Sequence, residues 1–229
     1  EVKVAKQNSL KEIASKAFAF FKNHSAEETV VYAVSLLEDD SLFNAGIGSQ
    51  IQSDGKIRMS ASLMNGETQK FSGVINIENV KNPIEVAQVL MKEDDRVLGG
   101  DGAKKYATEY GFQDFSTEIP QRRKEYEEKL KNGGKGTVGC VAIDVHGKLA
   151  AATSTGGTGF ELVGRISDSA TVAGNYANQH CAVSCTGVGE DIVSNATAAK
   201  IVTRVSDGMT IEHAFDRTFL ELIEIDGFA

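Results

Sequence analysis

Gly136-Thr137-Val138-Gly139-Cys140-Val141-Ala142-Ile143-Asp144 reads as a buried strand that opens on a hydroxyl, with a glycine just ahead of it. The pair His146-Gly147 supplies a turn, and the small apolar stretch 148–155 returns as a second strand, so 137–155 is predicted to be a β-hairpin. Side chains alternate along a strand, which puts Thr137, Gly139 and Val141 on one face and Val138, Cys140 and Ala142 on the other. Gly139 then leaves room beside Thr137 for a ligand or a neighbouring backbone. β-Branched residues favour strands, so a threonine at a strand start is by itself unremarkable chemistry.

What precedes the hairpin is different in kind. Residues 120–132 are almost all charged or polar and end in Gly133-Gly134-Lys135-Gly136. This composition shift predicts an exposed, mobile linker over about 113–136. It divides one structural domain into two portions, 1–136 and 137–229.

Elsewhere, Ser9 with Glu12 and Ser25 with Glu28 have capping-box spacing ahead of two predicted helices, to about 21 and 38. Strands are predicted at 57–62 and 69–77, and a helix from Asn82-Pro83 to about 92. A short helix ends at Gly111, a favourable C-cap residue. A strand at 182–185 and amphipathic helices over 191–205 and 210–223 complete the reading. This order of helices, strands and helices predicts an α+β layered domain.

The 229 residues carry a net charge of −8, which disfavours nucleic acid and anionic membrane surfaces as partners. No apolar run approaches membrane-spanning length. Three cysteines, Cys140, Cys181 and Cys185, form no even framework and fit a reducing compartment, so a cytoplasmic location is expected. Cys181 and Cys185 with His180 lack a fourth zinc ligand and read better as small buried apolar groups. The chain starts at Glu1 and stops at Gly227-Phe228-Ala229, where a new strand is expected to begin, so both ends are expected to continue.

Three further stretches bear on Thr137. Thr153-Ser154-Thr155-Gly156-Gly157 leaves the second strand through hydroxyl and small residues. Gly164-Arg165 and Asp168-Ser169 put a guanidinium and a carboxylate three positions apart, a pair able to hold a zwitterion or simply to form a surface ion pair. Cys185-Thr186-Gly187-Val188-Gly189-Glu190 is a glycine-rich strand-to-helix turn that can present N–H groups to an oxyanion. If the chain were cut before Thr137, one residue would carry both a hydroxyl nucleophile and an α-amine base, whose reference pKa is about 7.7–8.0.

In this order the motifs resemble the plant-type L-asparaginase / isoaspartyl peptidase family of N-terminal-nucleophile hydrolases. Leu42-Phe43-Asn44-Ala45-Gly46-Ile47-Gly48, Met64-Asn65-Gly66 and Val80-Lys81-Asn82-Pro83 agree with it. The resemblance implies a four-layer αββα sandwich that cleaves itself between Gly136 and Thr137. It implies Thr137 as nucleophile, Thr155 as its orienter, and Thr186 with the Gly187 N–H as oxyanion hole. Arg165 would bind the substrate α-carboxylate and Asp168 the α-amine, helped by the Gly189 carbonyl, with Asn44 shaping the site. No catalytic cofactor is implied. A structural sodium ion would lie in the 37–47 loop on backbone carbonyls of Leu37, Glu38, Asp40, Phe43, Ala45 and Ile47. The expected partner is a small-molecule substrate, and the expected assembly a homodimer of αβ units.

The departures are definite. The family's opening His-Gly-Gly-Ala-Gly strand and its final strands are absent, Ser60 stands where aspartate is usual, and 158–163 lacks the usual basic residue. Glycosylasparaginase is the alternative within the same chemistry. A phosphate-binding module on Gly133-Gly134-Lys135-Gly136-Thr137 is a weaker one, since Gly136 separates lysine from hydroxyl and a strand follows. A non-catalytic scaffold is the third.

Overall fold

The computed structural model describes residues 2–129 and 136–224. Helices α1 (Val2–Phe21) and α2 (Ala26–Glu38) come first, then strands β1 (Met59–Asn65) and β2 (Lys70–Ile77). Helix α3 (Pro83–Leu90), strand β3 (Val97–Gly99) and helices α4 (Gly100–Glu109) and α5 (Pro120–Glu127) follow. The hairpin is β4 (Val138–Ile143) and β5 (Leu149–Thr155), then come β6 (Asn175–Ala177) and β7 (Ala182–Ser184). Helices α6 (Gly189–Asn195), α7 (Thr197–Ser206) and α8 (Ile211–Glu224) come last.

The larger sheet has the order β3-β2-β1-β5-β4, antiparallel throughout except for β2 with β3. Helices α2, α3 and α4 cover one face, where Val30, Val34, Leu37, Ile84 and Leu90 pack against Leu63, Val74 and Ala152. The β6-β7 pair lies on the other face, α7 packs on that pair, and α8 on α7. The result is the expected α+β sandwich of αββα type. Among the described residues no helix is long and apolar enough to cross a membrane.

Small residues let the two sheets approach closely near the hairpin. Ala150, Ala151 and Ala152 line β5, and the sheets are tied by Thr153 Oγ1 to Ser184 Oγ at 2.6 Å and by Asn175 Nδ2, which donates to Ser62 Oγ at 3.0 Å. A Cβ added at Gly139 would stand 2.0 Å from Ser184 Oγ and 2.9 Å from its Cβ. Gly139→Ala is therefore expected to push β7 off β4 and cost about 1–3 kcal/mol, read as a lower denaturant midpoint at unchanged slope.

The Ser25–Glu28 capping box forms as expected, with Glu28 N–H donating to Ser25 Oγ and Ser25 N–H to Glu28 Oε2. The Ser9–Glu12 box does not. Helix α1 begins at Val2, so Ser9 lies inside it and donates its hydroxyl to the Asp40 carboxylate. Asn82 does not cap α3 either. Its side chain donates to Ser35 O and Asp39 Oδ1, while the Ile84 N–H at the helix start is taken by the buried Glu38 carboxylate at 3.1 Å. Burial pushes Glu38 up to about 8, against hydrogen bonds from Ser154 and Ile84 that pull it down.

The linker expectation needs correction over its first part. Residues 120–127 form α5, Thr117 and Glu125 are buried, and Arg122 Nε donates to Gly48 O at 2.8 Å. The remaining stretch, 130–135, with Gly133, Gly134 and Lys135 of the phosphate-loop reading, lies outside the described residues. The 191–205 helix is two helices, broken at Ala196, which adopts φ 50°. Strands β3 and β6 and the 3₁₀ turn Asp168–Ala170 had no predicted counterpart.

Candidate active site

Thr137 stands immediately before β4, and its hydroxyl donates to Thr155 Oγ1 at 3.1 Å. Thr155 ends β5, and its Oγ1 also accepts the Gly157 N–H at 3.3 Å. With both acceptor positions of Thr155 engaged, the Thr137 hydroxyl hydrogen has a fixed direction. Asn44, in the loop after α2, ties the first portion of the chain to this point. Its backbone N–H donates to Gly136 O at 3.3 Å, its carbonyl accepts from Gly156 N at 2.9 Å, and its Nδ2 donates to Gly157 O at 2.6 Å. A Cβ on Gly156 would collide with Ser49 at 2.3 Å, so close approach of these two segments requires glycine there.

One cavity of about 20 Å³ gathers Gly136, Thr137 and Thr155 with Arg165, Asp168, Thr186, Gly187 and Gly189. These residues come from four separate stretches, and the fold brings them together around one cavity, as the family resemblance implies. Gly157, Thr158 and Ser167 line it as well, and had been given no individual role. Asn44 stands behind this wall rather than on it, through its contacts with Gly136 and Gly157.

The charged end of the cavity has a definite electrostatic character. Arg165 is held in a bidentate pair by Glu190, Nε to Oε1 at 2.6 Å and Nη2 to Oε2 at 3.0 Å. Glu190 is the functional neighbour that sequence reasoning left without a role. The Glu190 side chain is 64% exposed and that of Arg165 only 15%, so the carboxylate can swing away while the guanidinium stays put. Pairing with Arg165 holds Glu190 below the usual carboxylate range. Asp168 is buried, its Oδ2 has no hydrogen-bond partner among the described residues, and burial pushes it up to about 6, with Arg165 pulling the other way. A Cβ on Gly189 would lie 2.8 Å from both Arg165 Nη2 and Asp168 Oδ1, so a side chain there would displace one of these two groups.

The cysteines are poor candidates for chemistry. Burial pushes Cys140 up to about 11, and burial with the Asp168 charge pushes Cys185 to about 12, so neither is a thiolate at neutral pH. Cys181 packs with Ile201, Val202 and Ala214. Among the described residues no three His, Cys, Asp or Glu side chains converge as a metal site.

A larger groove of about 570 Å³ runs on from Thr137 past Gly139 and Ser184 to Ile211 and Phe215. Among the described residues, no charged side chain lines it. Of these two cavities beside Thr137, the smaller one therefore offers a zwitterion its charged anchors, Arg165 and Asp168.

The asparaginase family profile matches residues 1–227. The chain belongs to the asparaginase family. Its αββα layering is accordingly that of the N-terminal-nucleophile hydrolases. An isoaspartyl peptidase/L-asparaginase of Nostoc sp. is 46% identical over 217 residues, 86% of this chain and 68% of the relative. One of the same name from Synechocystis sp. is 46% identical over 218 residues, 87% of this chain and 66% of the relative. A plant-type L-asparaginase of Pyrococcus abyssi is 37% identical over 216 residues, covering 84% and 70%. The chain thus spans about two thirds of the length of these asparaginase relatives.

Proposed function

We propose that this chain is an autoprocessing threonine amidohydrolase that releases L-aspartate from L-asparagine, from β-aspartyl dipeptides, or from both. The observation that carries the reading is the Thr137 hydroxyl, fixed by Thr155, in one cavity with a half-buried guanidinium and a buried carboxylate oxygen that has no partner among the described residues. The names of the relatives favour this over glycosylasparaginase.

Processing would begin with attack of Thr137 Oγ on the Gly136 carbonyl carbon. The C–N bond breaks, an ester to Thr137 forms, and water hydrolyses it to leave a Gly136 carboxylate and a free Thr137 α-amine. The Asn44 N–H already points at the Gly136 oxygen, where charge develops during attack. Gly136 also forms part of the cavity wall, so its release enlarges a space now too small for an amino acid. The portions 1–136 and 137–229 would remain one structural unit.

In the mature enzyme the α-amine would take the Thr137 hydroxyl proton as Oγ attacks the substrate side-chain amide. Thr186 and the Gly187 N–H would hold the oxyanion, worth about 3–4 kcal/mol per donor. Protonated by the base, ammonia or the amino-acid amine leaves, and water releases aspartate. The substrate carboxylate would displace Glu190 from Arg165, and its ammonium would meet Asp168 Oδ2 with help from the Gly189 carbonyl.

The 37–47 loop would hold a sodium ion as a brace for Asn44, supplying no chemistry. Backbone oxygens suit a hard cation, and the Phe43 and Ser41 carbonyls converge on the space beside Gly48, 2.8 and 2.7 Å from where a Cβ would stand. The Glu38 carbonyl already accepts the Ile47 N–H at 2.7 Å, so it would share its second lone pair. The proposed ligand set is the carbonyls of Leu37, Glu38, Asp40, Phe43, Ala45 and Ile47. A homodimer of αβ units and a cytoplasmic location complete the reading, the latter supported by three free cysteines.

Intact mass spectrometry with an aspartate-release assay tests it. Two fragments, the second starting at Thr137, and turnover of β-aspartyl dipeptide or asparagine but not of glycosylated asparagine are expected. Preferred turnover of glycosylated asparagine would move the assignment to the alternative.

A further inference from the structure

Arg165 sits on a loop with little packing to hold it. Leu162 is 81% exposed, and Val163 and Ile166 are each 55% exposed. Among the described residues nothing lies within 4 Å of a Cβ built on Gly164, and a cavity of about 560 Å³ backs Val163, Gly164 and Ile166. A loop without apolar anchors takes its geometry from polar tethers, and two act on the Arg165 backbone. Its N–H donates to Leu162 O at 3.0 Å, a contact within the loop itself. Its carbonyl accepts from Asn76 Nδ2 at 3.0 Å, a contact with the main sheet.

Asn76 reaches the loop because β2 is irregular at that point. Met59 pairs with Ile77 but Ala61 pairs with Val74, so two residues of β2, Ile75 and Asn76, face Ser60 alone. Asn76 takes φ 53°, a left-handed conformation that asparagine tolerates better than most side chains. Such bulges re-aim a side chain out of the regular alternation. Ser60 Oγ accepts the Asn76 N–H at 3.1 Å and so fixes the bulge. Ser60 is also the residue of β1 directly opposite Thr155. A continuous connection thus runs from the strand position paired with the nucleophile's orienter, through Ser60 and Asn76, to the Arg165 peptide.

We infer that Asn76 is a positioning residue: its side-chain amide fixes the Arg165 carbonyl and thereby sets where the guanidinium meets the substrate α-carboxylate. This rests on Arg165 being the carboxylate clamp of the proposed reaction. The serine at position 60 has a role in the same device, as the acceptor that holds the bulge.

Asn76→Gly isolates the effect. Glycine adopts φ 53° at least as easily as asparagine, so the bulge and the fold survive while the donor is lost. In fully processed protein, KM for a β-aspartyl dipeptide and the dissociation constant of L-aspartate, read by calorimetry, are expected to rise together by about three- to tenfold. The value of kcat should stay within about twofold and the melting temperature should hold. Asn76→Asp keeps the tolerance for this backbone but replaces the donor by an acceptor, and should raise both constants at least as much. Arg165→Lys is the control for the clamp itself. If it raises both constants while the two Asn76 variants leave them unchanged, the inference about Asn76 is wrong and the clamp stands. If Arg165→Lys changes neither constant, the clamp reading falls and this inference with it. A lower melting temperature with lower kcat and unchanged KM would make Asn76 merely structural, which also overturns the proposal.

Discussion

Thr137→Ala protein is expected to remain one uncut chain under conditions that split the parent into two pieces, and to release aspartate about 10⁴–10⁶ times more slowly. Both losses follow from one atom. Thr137 Oγ is the proposed nucleophile in processing and again in turnover, and without processing the α-amine base is never formed. The structural cost of the change should be small. Thr137 lies just outside β4, and among the described residues its hydroxyl makes one hydrogen bond, to Thr155. One such bond is worth about 0.5–1.5 kcal/mol, which cannot by itself account for a four-decade loss. Thr137→Ser should retain both activities at a reduced rate, because the hydroxyl and the α-amine remain while the methyl that limits rotation is gone. Slow cleavage of the alanine variant, or turnover above a tenth of the parent rate, would sink the assignment of Thr137. The measurement is intact mass over time together with amine or ammonia release.

The sequence carried those parts of the fold whose causes are local. Alternating small and apolar residues with His146-Gly147 between them give the β4-β5 hairpin, and Ser25 with Glu28 gives the start of α2. Where distant parts of the chain decide, local reading failed for identifiable reasons. Residues 120–127 are polar enough for a linker, but an exposed helix has the same composition, and its anchoring depends on Arg122 reaching Gly48. Alanine at 196 carries no signal for a left-handed residue. The break there accompanies the donation of the Ala198 and Ala199 amides to the Ala173 and Val172 carbonyls, which no helical pattern encodes. Asn82-Pro83 looked like a self-sufficient cap, yet Glu38 supplies the acceptor from another helix.

The site divides along the same line. Thr155, Arg165, Asp168 and Gly189 were legible through the family resemblance, since residue type and spacing alone left Arg165 and Asp168 open as a surface ion pair. Glu190 was visible in the sequence as one more acid after a glycine turn, but its bond to Arg165 crosses from another element. Asn76 gave no signal at all, since its reach depends on a bulge set by the register between β1 and β2. Residues that hold charge could be read from the chain, and residues that aim it required the fold.

Asp168→Asn should separate binding from stability, with changes of opposite sign. The substitution removes the negative partner of the substrate ammonium while nearly preserving shape. Losing one member of a buried charge pair costs about 2–5 kcal/mol, so kcat/KM should fall roughly 10²–10³-fold. Stability should move the other way. Burial raises Asp168 from 3.8 to about 6 in the folded chain. As pH rises from about 4, the unfolded chain ionises this group first and native stability falls, until the folded form has also ionised above about pH 6. At pH 8 asparagine avoids that cost. Arg165 loses a nearby anion but keeps Glu190, so the net gain should be about 1–2 kcal/mol, or a few degrees in melting temperature. Below about pH 4 the gain should vanish. Aspartate binding supplies the matching functional curve: below pH 6 the affinity of the parent should weaken about tenfold per unit as Asp168 takes up its proton, and the variant should be weak at every pH without that slope. If the variant binds aspartate as tightly as the parent, Asp168 does not face the ammonium. If it melts lower at pH 8, the carboxylate is part of the scaffold, and the unpartnered Oδ2 is not reserved for substrate.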